Sequence, residues 1–217
     1  MRIKSINIGL LLSFFAASTH AGNSATPTDK FRYPFYVGVS AGYGATTWNH
    51  LVSTNQTAAM TLSTPIKTHE NGAAWGFFGG YELMPTFAIE AAYTRYPSAK
   101  VYFDDMSLFT FDYNATEFNS RTEALSASAK FMIFIPTTTI RAFSTVGIAG
   151  VHRSDYVYKE WLYRPTFGIG FNYNFTPHVM VEVGGNYTAG SGQAELDPAL
   201  HYVPFTYSGF ARLAYRF

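Results

Sequence analysis

This sequence of 217 residues contains no cysteine, few charged side chains and, after its first residues, no long apolar run. The absence of cysteine excludes disulfide bonds and thiolate metal sites. Charged residues make up 13% of the chain, about half of the roughly 25% found in soluble domains. Residues 131–150 include many apolar side chains, but Pro136 and Arg141 interrupt this stretch, so no membrane-spanning helix is predicted there. The composition therefore argues against both an ordinary soluble domain and a helical membrane protein.

The charges that are present have no dominant sign. The formal net charge is +1, which provides no basic face, so no nucleic-acid partner is expected. Asp104, Asp105 and Asp112 form an acidic cluster, but their spacing matches no calcium-binding loop. We interpret this cluster as a solvated loop, and the sequence predicts neither a metal site nor a cofactor.

The N-terminus predicts export from the cytoplasm. Arg2 and Lys4 precede an apolar run, residues 6–17, that is too short to span a bilayer, and a small residue, Ala21, stands at a cleavage position. The predicted organisation is a signal peptide over residues 1–21, a disordered periplasmic lead-in over residues 22–34, and one domain over residues 35–217.

The rest of the chain is rich in aromatic residues, at 18%, and alternates between apolar and small or polar side chains. In one segment, Leu125, Ala127 and Phe131 alternate with Ser126 and Lys130. A period of two indicates β-strands. Eight such segments are predicted, each about long enough to cross a bilayer when tilted: residues 35–48, 74–83, 87–96, 124–133, 139–152, 162–175, 179–187 and 205–217.

The connections between these segments alternate in length. Three are short and contain a proline, at Pro85, Pro136 and Pro177, as is typical of tight turns. Short turns at one end and long loops at the other are the pattern of an up-and-down barrel. The predicted fold is therefore all-β, a single antiparallel transmembrane barrel of about eight strands. Four connections are predicted to be longer polar loops: residues 49–73, 100–121, 154–161 and 189–204.

The face opposite the bulky apolar residues is predicted to line the barrel interior. It carries glycine, serine, threonine and alanine, which fit a narrow lumen. It also carries three carboxylates and four bases: Glu82, Glu90, Lys130, Arg141, Glu182, Arg212 and Arg216. We predict that these seven form a buried, mutually neutralising network that fills the lumen. The alternative is a gated pore in which Arg141 and Arg212 exchange partners among the acids.

Aromatic residues gather near both ends of the predicted strands, as in the interfacial girdles of membrane barrels. The predicted outer girdle, at the loop end, includes Trp48, Trp75, Tyr96 and Trp161. The predicted girdle at the turn end includes Phe35, Tyr173, Phe175, Tyr215 and Phe217.

A signal peptide, alternating strands, proline-marked turns and a final strand ending Ala211-Arg212-Leu213-Ala214-Tyr215-Arg216-Phe217 together resemble one family. It is that of the small bacterial outer-membrane β-barrel proteins, of the OmpA-transmembrane-domain, OmpX and opacity-protein type. The resemblance implies localisation in the outer membrane of a Gram-negative bacterium, among outer-membrane lipids and lipopolysaccharide. It also implies that Tyr215 and Phe217 belong to the signal read by the barrel-assembly machinery.

Three functions are open at this point. The first is a non-enzymatic barrel whose long outer loops serve adhesion, contact with an extracellular ligand or host partner, or envelope structure. The second is a narrow porin-like channel for small solutes, similar to the OmpW type. The third is a lipid A-modifying enzyme, because His152 and Ser154 resemble the base and nucleophile of outer-membrane lipid A deacylases. In this chain, however, Asp155-Tyr156 replaces the Asn-Ala expected after the serine.

Overall fold

The computed structural model describes residues 33–48, 66–107, 110, 114–155, 159–190 and 203–217. The predicted signal peptide and most of the predicted lead-in lie outside these residues. Among the described residues, no helix has the length and apolarity needed to cross a membrane. The described strands are β1 (Phe35–Thr46), β2 (Lys67–His69), β3 (Asn71–Met84), β4 (Phe87–Arg95), β5 (Ala99–Tyr102), β6 (Glu117–Phe134), β7 (Ile140–Ser154), β8 (Lys159–Asn174), β9 (Val179–Thr188) and β10 (Thr206–Arg216).

Eight of these strands form a closed antiparallel barrel in the order β1, β3, β4, β6, β7, β8, β9, β10. The ring closes where β10 pairs with β1 along eleven residue positions, from Thr46 opposite Thr206 to Tyr36 opposite Arg216. Short proline-containing turns connect β3 to β4, β6 to β7 and β8 to β9. The prediction of an all-β, eight-stranded, up-and-down barrel is confirmed.

The strands are staggered around the barrel. A row of paired residues that starts at Thr46 and passes through all eight strands returns to β1 at Tyr36, ten residues away. A closed barrel with such a stagger has strands tilted by roughly 35–45° and an interior that side chains can fill. The stagger therefore also decides which residues of different strands lie at the same level of the lumen.

The two faces of each barrel strand differ in exposure as predicted. Val39, Phe77, Ile89, Ile148 and Ile169 are among the large apolar side chains exposed on the outer face, whereas the charged and small residues of the other face point inward. A continuous apolar surface of this extent is unsuited to water and suits the hydrocarbon of a bilayer. The assignment of faces is correct even in β7, where the sequence pattern is least regular.

The barrel wall is taller than the sequence predicts. β2 pairs with β5, and β5 pairs with the first residues of β6, so residues 67–69, 100–102 and 117–120 extend the sheet within two predicted loops. β7 and β8 also extend into the predicted loop 154–161 and leave only residues 155–158 between them. The predicted loop boundaries are wrong here because, beyond the bilayer, the outward positions become polar and the apolar alternation fades. Backbone pairing persists there regardless.

Candidate functional site

Near the turn end of the lumen, one carboxylate is shared by two arginines. Arg141 Nη2 donates to Glu82 Oε1 at 2.8 Å, and Arg216 Nη2 donates to Glu82 Oε2. Arg141 Nε also donates to the Asn172 side-chain oxygen at 2.9 Å, and Arg216 Nη1 to that of Asn174 at 3.1 Å. The planar guanidinium groups thus bind several acceptors at once, as arginine is suited to do. We call this group the turn-end layer.

Further into the lumen, two acids and two bases form a closed group, which we call the central layer. Lys130 Nζ lies 3.0 Å from Glu90 Oε2 and also pairs with Glu182. Arg212 Nη1 lies 2.7 Å from Glu90 Oε1 and 3.6 Å from Glu182 Oε2. Each base therefore contacts both acids, and the four formal charges cancel.

A glycine allows a tyrosine to join the central layer. Gly80 of β3 pairs with Tyr36 on one side and with Glu90 on the other. The Tyr36 ring crosses the bare glycine, and its hydroxyl donates to Glu90 Oε2 at 3.0 Å. A Cβ at position 80 would lie 2.4 Å from both Tyr36 Cζ and the Tyr36 hydroxyl oxygen. Only glycine therefore permits this hydrogen bond with the present backbone.

Aromatic rings shield the cations of the central layer. Lys130 Nζ lies 4.4 Å from the centre of the Phe143 ring. Arg212 Cζ lies 4.0 Å from the Phe210 ring centre and 4.7 Å from the Phe78 ring centre. At these distances the ring faces attract the cations and occupy the remaining width of the lumen. The layer is consequently held by packing as well as by charge.

The seven charged residues selected from the sequence thus lie in the lumen, divided between these two layers. None of their paired side chains is more than 10% exposed. Buried pairs of this kind stabilise a structure little relative to apolar packing, but removal of one partner is strongly destabilising because a buried charge remains. The arrangement can therefore fill and brace the barrel. The division into two layers was not predicted.

On the loop side of the central layer lies a polar cavity of about 30 Å³, which we call the polar chamber. Glu90 and Arg212 line the chamber on the side of the central layer. A polar cavity of this size has room for one or two water molecules. The chamber was missed from the sequence, although its hydroxyl and amide residues all occupy inward-facing strand positions. They include Ser40, Thr94, Ser126, Thr145, Asn186 and Ser208.

A second buried cluster closes the loop end of the lumen. The rings of Trp48 and Phe118 lie 5.3 Å apart. Arg153 Cζ lies 4.9 Å from the Trp48 ring centre and 5.5 Å from that of Phe118. Arg153 Nε pairs with Asp155, whose carboxylate also accepts a hydrogen bond of 3.0 Å from the Ser120 hydroxyl. Charge, cation–π contact and ring packing meet in this cluster.

The predicted place of Trp48 and Tyr96 in the outer aromatic girdle is wrong. Trp48 is 0% exposed and Tyr96 2% exposed, whereas Trp75 is 44% exposed and Trp161 50% exposed. The position of Trp48 along the strand predicts its inward direction correctly, because residues separated by an even number of positions lie on the same face. It lies an even number of residues from Gly42 and Gly44, which face the lumen.

The candidate catalytic pair does not meet the neighbouring acid. His152 lies on the outer face of β7, and its ring stacks on that of Trp161 with the centres 4.8 Å apart. Ser154 has the same strand parity as His152. Asp155 points inward and binds Arg153 and Ser120. A carboxylate that orients the histidine is part of the usual triad arrangement, and Asp155 does not supply one.

The acidic cluster of the second long loop is only partly described, because Asp112 lies outside the described residues. Asp104 Oδ1 accepts a hydrogen bond of 2.9 Å from the Met106 backbone within a turn. Across the described ranges, no three histidine, aspartate or glutamate side chains are arranged to hold a metal ion.

The C-terminal residues lie at the seam where the barrel closes. The Phe217 backbone donates to the Phe35 carbonyl at 2.8 Å. Its ring centre lies 5.9 Å from that of Phe35 and 5.0 Å from that of Tyr215. Tyr215 also stacks on His178 of the β8–β9 turn, at 5.5 Å. Both C-terminal aromatic side chains are exposed on the outer face.

Comparison with known proteins agrees with this architecture. The family model of the OmpA-like transmembrane domain matches residues 32–217. Neisserial surface protein A has a TM-score of 0.54 and 16% identity, over 84% of this chain and 97% of that chain. OprG of Pseudomonas aeruginosa has a TM-score of 0.53 and 8% identity, over 87% and 98%. No curated protein sequence matches the chain. At these identities the structural likeness shows the fold alone.

The family match covers most of the chain, including every strand of the barrel. The solved structures that share the fold include an outer-membrane protein and a bacterial surface protein. The resemblance seen in the sequence is thereby confirmed. The chain belongs to the OmpA-like transmembrane domain family and is a β-barrel protein of the bacterial outer membrane.

Proposed function

We propose that this protein is a plugged, non-enzymatic barrel that holds its outer loops at the cell surface, for adhesion, for binding an extracellular or host ligand, or for envelope structure. The observation that carries the proposal is the filled lumen. Two layers of buried ion pairs cross it, and aromatic rings occupy the space between the cations and the wall. A lumen packed in this way leaves little room for a solute, so partners meet the protein at its outer end.

The outer end supports this role because its wall is rigidly built. β5 and β6 pair on the loop side of the apolar outer surface, which we call the apolar belt. The bases of two loops are joined where the Thr47 backbone donates to the Phe205 carbonyl at 3.0 Å. Binding residues are commonly carried on loops that a rigid scaffold positions. The barrel supplies such a scaffold.

The test has two parts. In planar bilayers the purified protein is expected to give no single-channel steps. Cells that produce it are then compared with cells in which a short glycine-serine linker replaces residues 49–65, for adherence to epithelial cells. Loss of adherence in the variant, with unchanged heat-modifiable gel mobility, supports surface display. Equal adherence of both cell types contradicts an adhesive role for this loop.

The second candidate function is a narrow channel for small solutes, and the polar chamber favours it. In this case the bilayer recordings contain single-channel steps, and their amplitude changes when Arg141 or Arg212 is replaced. If neither the unaltered protein nor either variant gives single-channel steps, the channel function is excluded.

Catalysis has less support, because His152 packs on Trp161 and Asp155 binds Arg153. We expect expression of the protein to leave the mass of lipid A unchanged. A change in the mass of lipid A that Ser154→Ala abolishes would support the enzymatic alternative.

Lipopolysaccharide is the proposed lipid partner. At the outer edge of the apolar belt, Arg95 Cζ lies 5.9 Å from the centre of the exposed Trp75 ring. A cation beside an interfacial aromatic suits a lipid with an anionic headgroup. Less lipopolysaccharide should therefore be retained by Arg95→Gln than by the unaltered protein after detergent extraction. Lys159→Gln is the matched loss of one positive charge. Equal retention by all three proteins contradicts a site at Arg95.

A further inference from the structure

We propose that Trp48, Phe118 and Arg153 form an outer lock, a closure of the lumen separate from the ion-pair layers, which controls access to the polar chamber from the loop end. This inference goes beyond surface display and does not depend on it. It rests on where these three side chains originate and on what lies beneath them.

The lock joins opposite walls of the barrel. Trp48 follows β1, whereas Arg153 lies near the end of β7, and β7 is the fourth strand from β1 in either direction around the ring. The guanidinium of Arg153 nevertheless lies 4.9 Å from the centre of the Trp48 ring. Trp48, Phe118 and Arg153 are all buried. A contact between side chains from opposite walls closes the mouth of the barrel.

Both sides of the lock are anchored. The Trp48 backbone donates to the Glu70 carboxylate, and the Thr46 backbone donates to the Glu70 carbonyl at 2.9 Å. On the opposite wall, Asp155 holds Arg153 by an ion pair. The lock thus has a defined closed geometry that is held from both walls, and an element of this kind can switch between two discrete states.

The lock is distinct from the ion-pair layers because the polar chamber lies between them. Glu90 and Arg212 line the chamber on the turn side. Opening the lock would expose the chamber to the outside while the ion pairs remain closed.

The lock is also attached to the first outer loop. Trp48 is the second residue after β1, at the start of the connection to β2. A partner that displaces Thr47 and Trp48 at this edge of the mouth would withdraw the indole ring from between the walls. Binding at the surface would then change access to the lumen, provided that the partner prefers the open state.

Cysteine accessibility tests the lock, because the chain contains no cysteine. Ser126→Cys places a thiol in the chamber, and Asn119→Cys places a reference thiol on the exposed face of β6. Intact cells are treated with a membrane-impermeant, positively charged methanethiosulfonate reagent, and the modification rates are compared. Heat-modifiable gel mobility verifies that each variant is folded.

With the lock intact, we expect the chamber thiol to react much more slowly than the reference thiol. Trp48→Ala should raise the chamber rate by about tenfold or more, because the rate follows the fraction of molecules in the open state. Trp161→Ala is the matched control, since it removes an indole at the same end of the protein but on the outer face. Arg141→Met, in the turn-end layer, should also leave the rate unchanged.

Three results would overturn the proposal. The chamber thiol could react as fast as the reference thiol while Trp48 is present. Trp48→Ala could leave the chamber rate unchanged. Trp161→Ala or Arg141→Met could raise the rate as much as Trp48→Ala does. If Trp48→Ala fails to fold, Phe118→Ala tests the same contact, with the same expected increase in the rate.

Discussion

Lys130 and Glu90 form a buried ion pair at the centre of the barrel, with Nζ 3.0 Å from Oε2. Neither residue is isolated, because Lys130 also pairs with Glu182, and Glu90 also binds Arg212 and Tyr36. The charges of the lumen thus depend on one another. The response of the protein to single substitutions should reflect this dependence.

The first prediction concerns the central layer. Glu90→Ala leaves Lys130 and Arg212 to share Glu182, and we expect a loss of about 3–5 kcal/mol in the free energy of unfolding. Urea unfolding in lipid vesicles, followed by gel mobility, measures this loss. The control is Glu117→Ala, which removes the exposed partner of Lys100 and should change stability little. Equal effects of the two substitutions would show that burial of the pair contributes nothing.

The second prediction concerns the glycine beneath Tyr36. Gly80→Ala places a methyl group 2.4 Å from Tyr36 Cζ and 2.8 Å from the Ile89 carbonyl oxygen. The ring has to move, and the bond to Glu90 is lost, at a cost of about 1–3 kcal/mol. The same unfolding measurement applies. Gly209→Ala is the control, because a methyl group there meets no atom within 4 Å. A tolerated Gly80→Ala would contradict the close approach of Tyr36.

The third prediction separates the outward tryptophan from the inward one. In vesicles of lipids with brominated acyl chains, Trp75 fluorescence should be strongly quenched and Trp48 fluorescence should not, because Trp75 is exposed on the apolar face whereas Trp48 is buried. Variants that retain one tryptophan each, with phenylalanine at the other two positions, allow the comparison. Quenching of Trp48 comparable to that of Trp75 would place it on the lipid-facing surface instead.

The fourth prediction concerns assembly. Deletion of Phe217 removes one backbone hydrogen bond to Phe35 and the ring contact with Tyr215. We expect newly made protein to insert more slowly into the outer membrane. The free energy of unfolding of the folded barrel should change little. Phe175→Ala, which removes another exposed phenylalanine at the turn end, should insert at the normal rate. Normal insertion of the truncated protein would exclude an assembly role for the terminal residue.

The sequence predicts strands and faces well wherever lipid contacts one side of the wall. Val39 and Ile169 have to be apolar and Ser40 and Gly168 small, since one neighbour contacts hydrocarbon and the next contacts a narrow lumen. This constraint ends above the membrane. Residues 117–120 and 159–161 still pair as strands, but polar residues are acceptable on their outer face, so the pattern there resembles that of a loop.

By itself, the sequence determined that the chain is a barrel and which side chains enter its lumen, because parity along each strand is a local property. Only the tertiary structure decided which of these side chains meet. Glu82 binds Arg141 and Arg216, which lie 59 and 134 positions away in the chain, and Trp48 reaches across the mouth to Arg153. These partners come from different strands, and the ten-residue stagger of the closed barrel sets their levels. No local pattern contains that stagger.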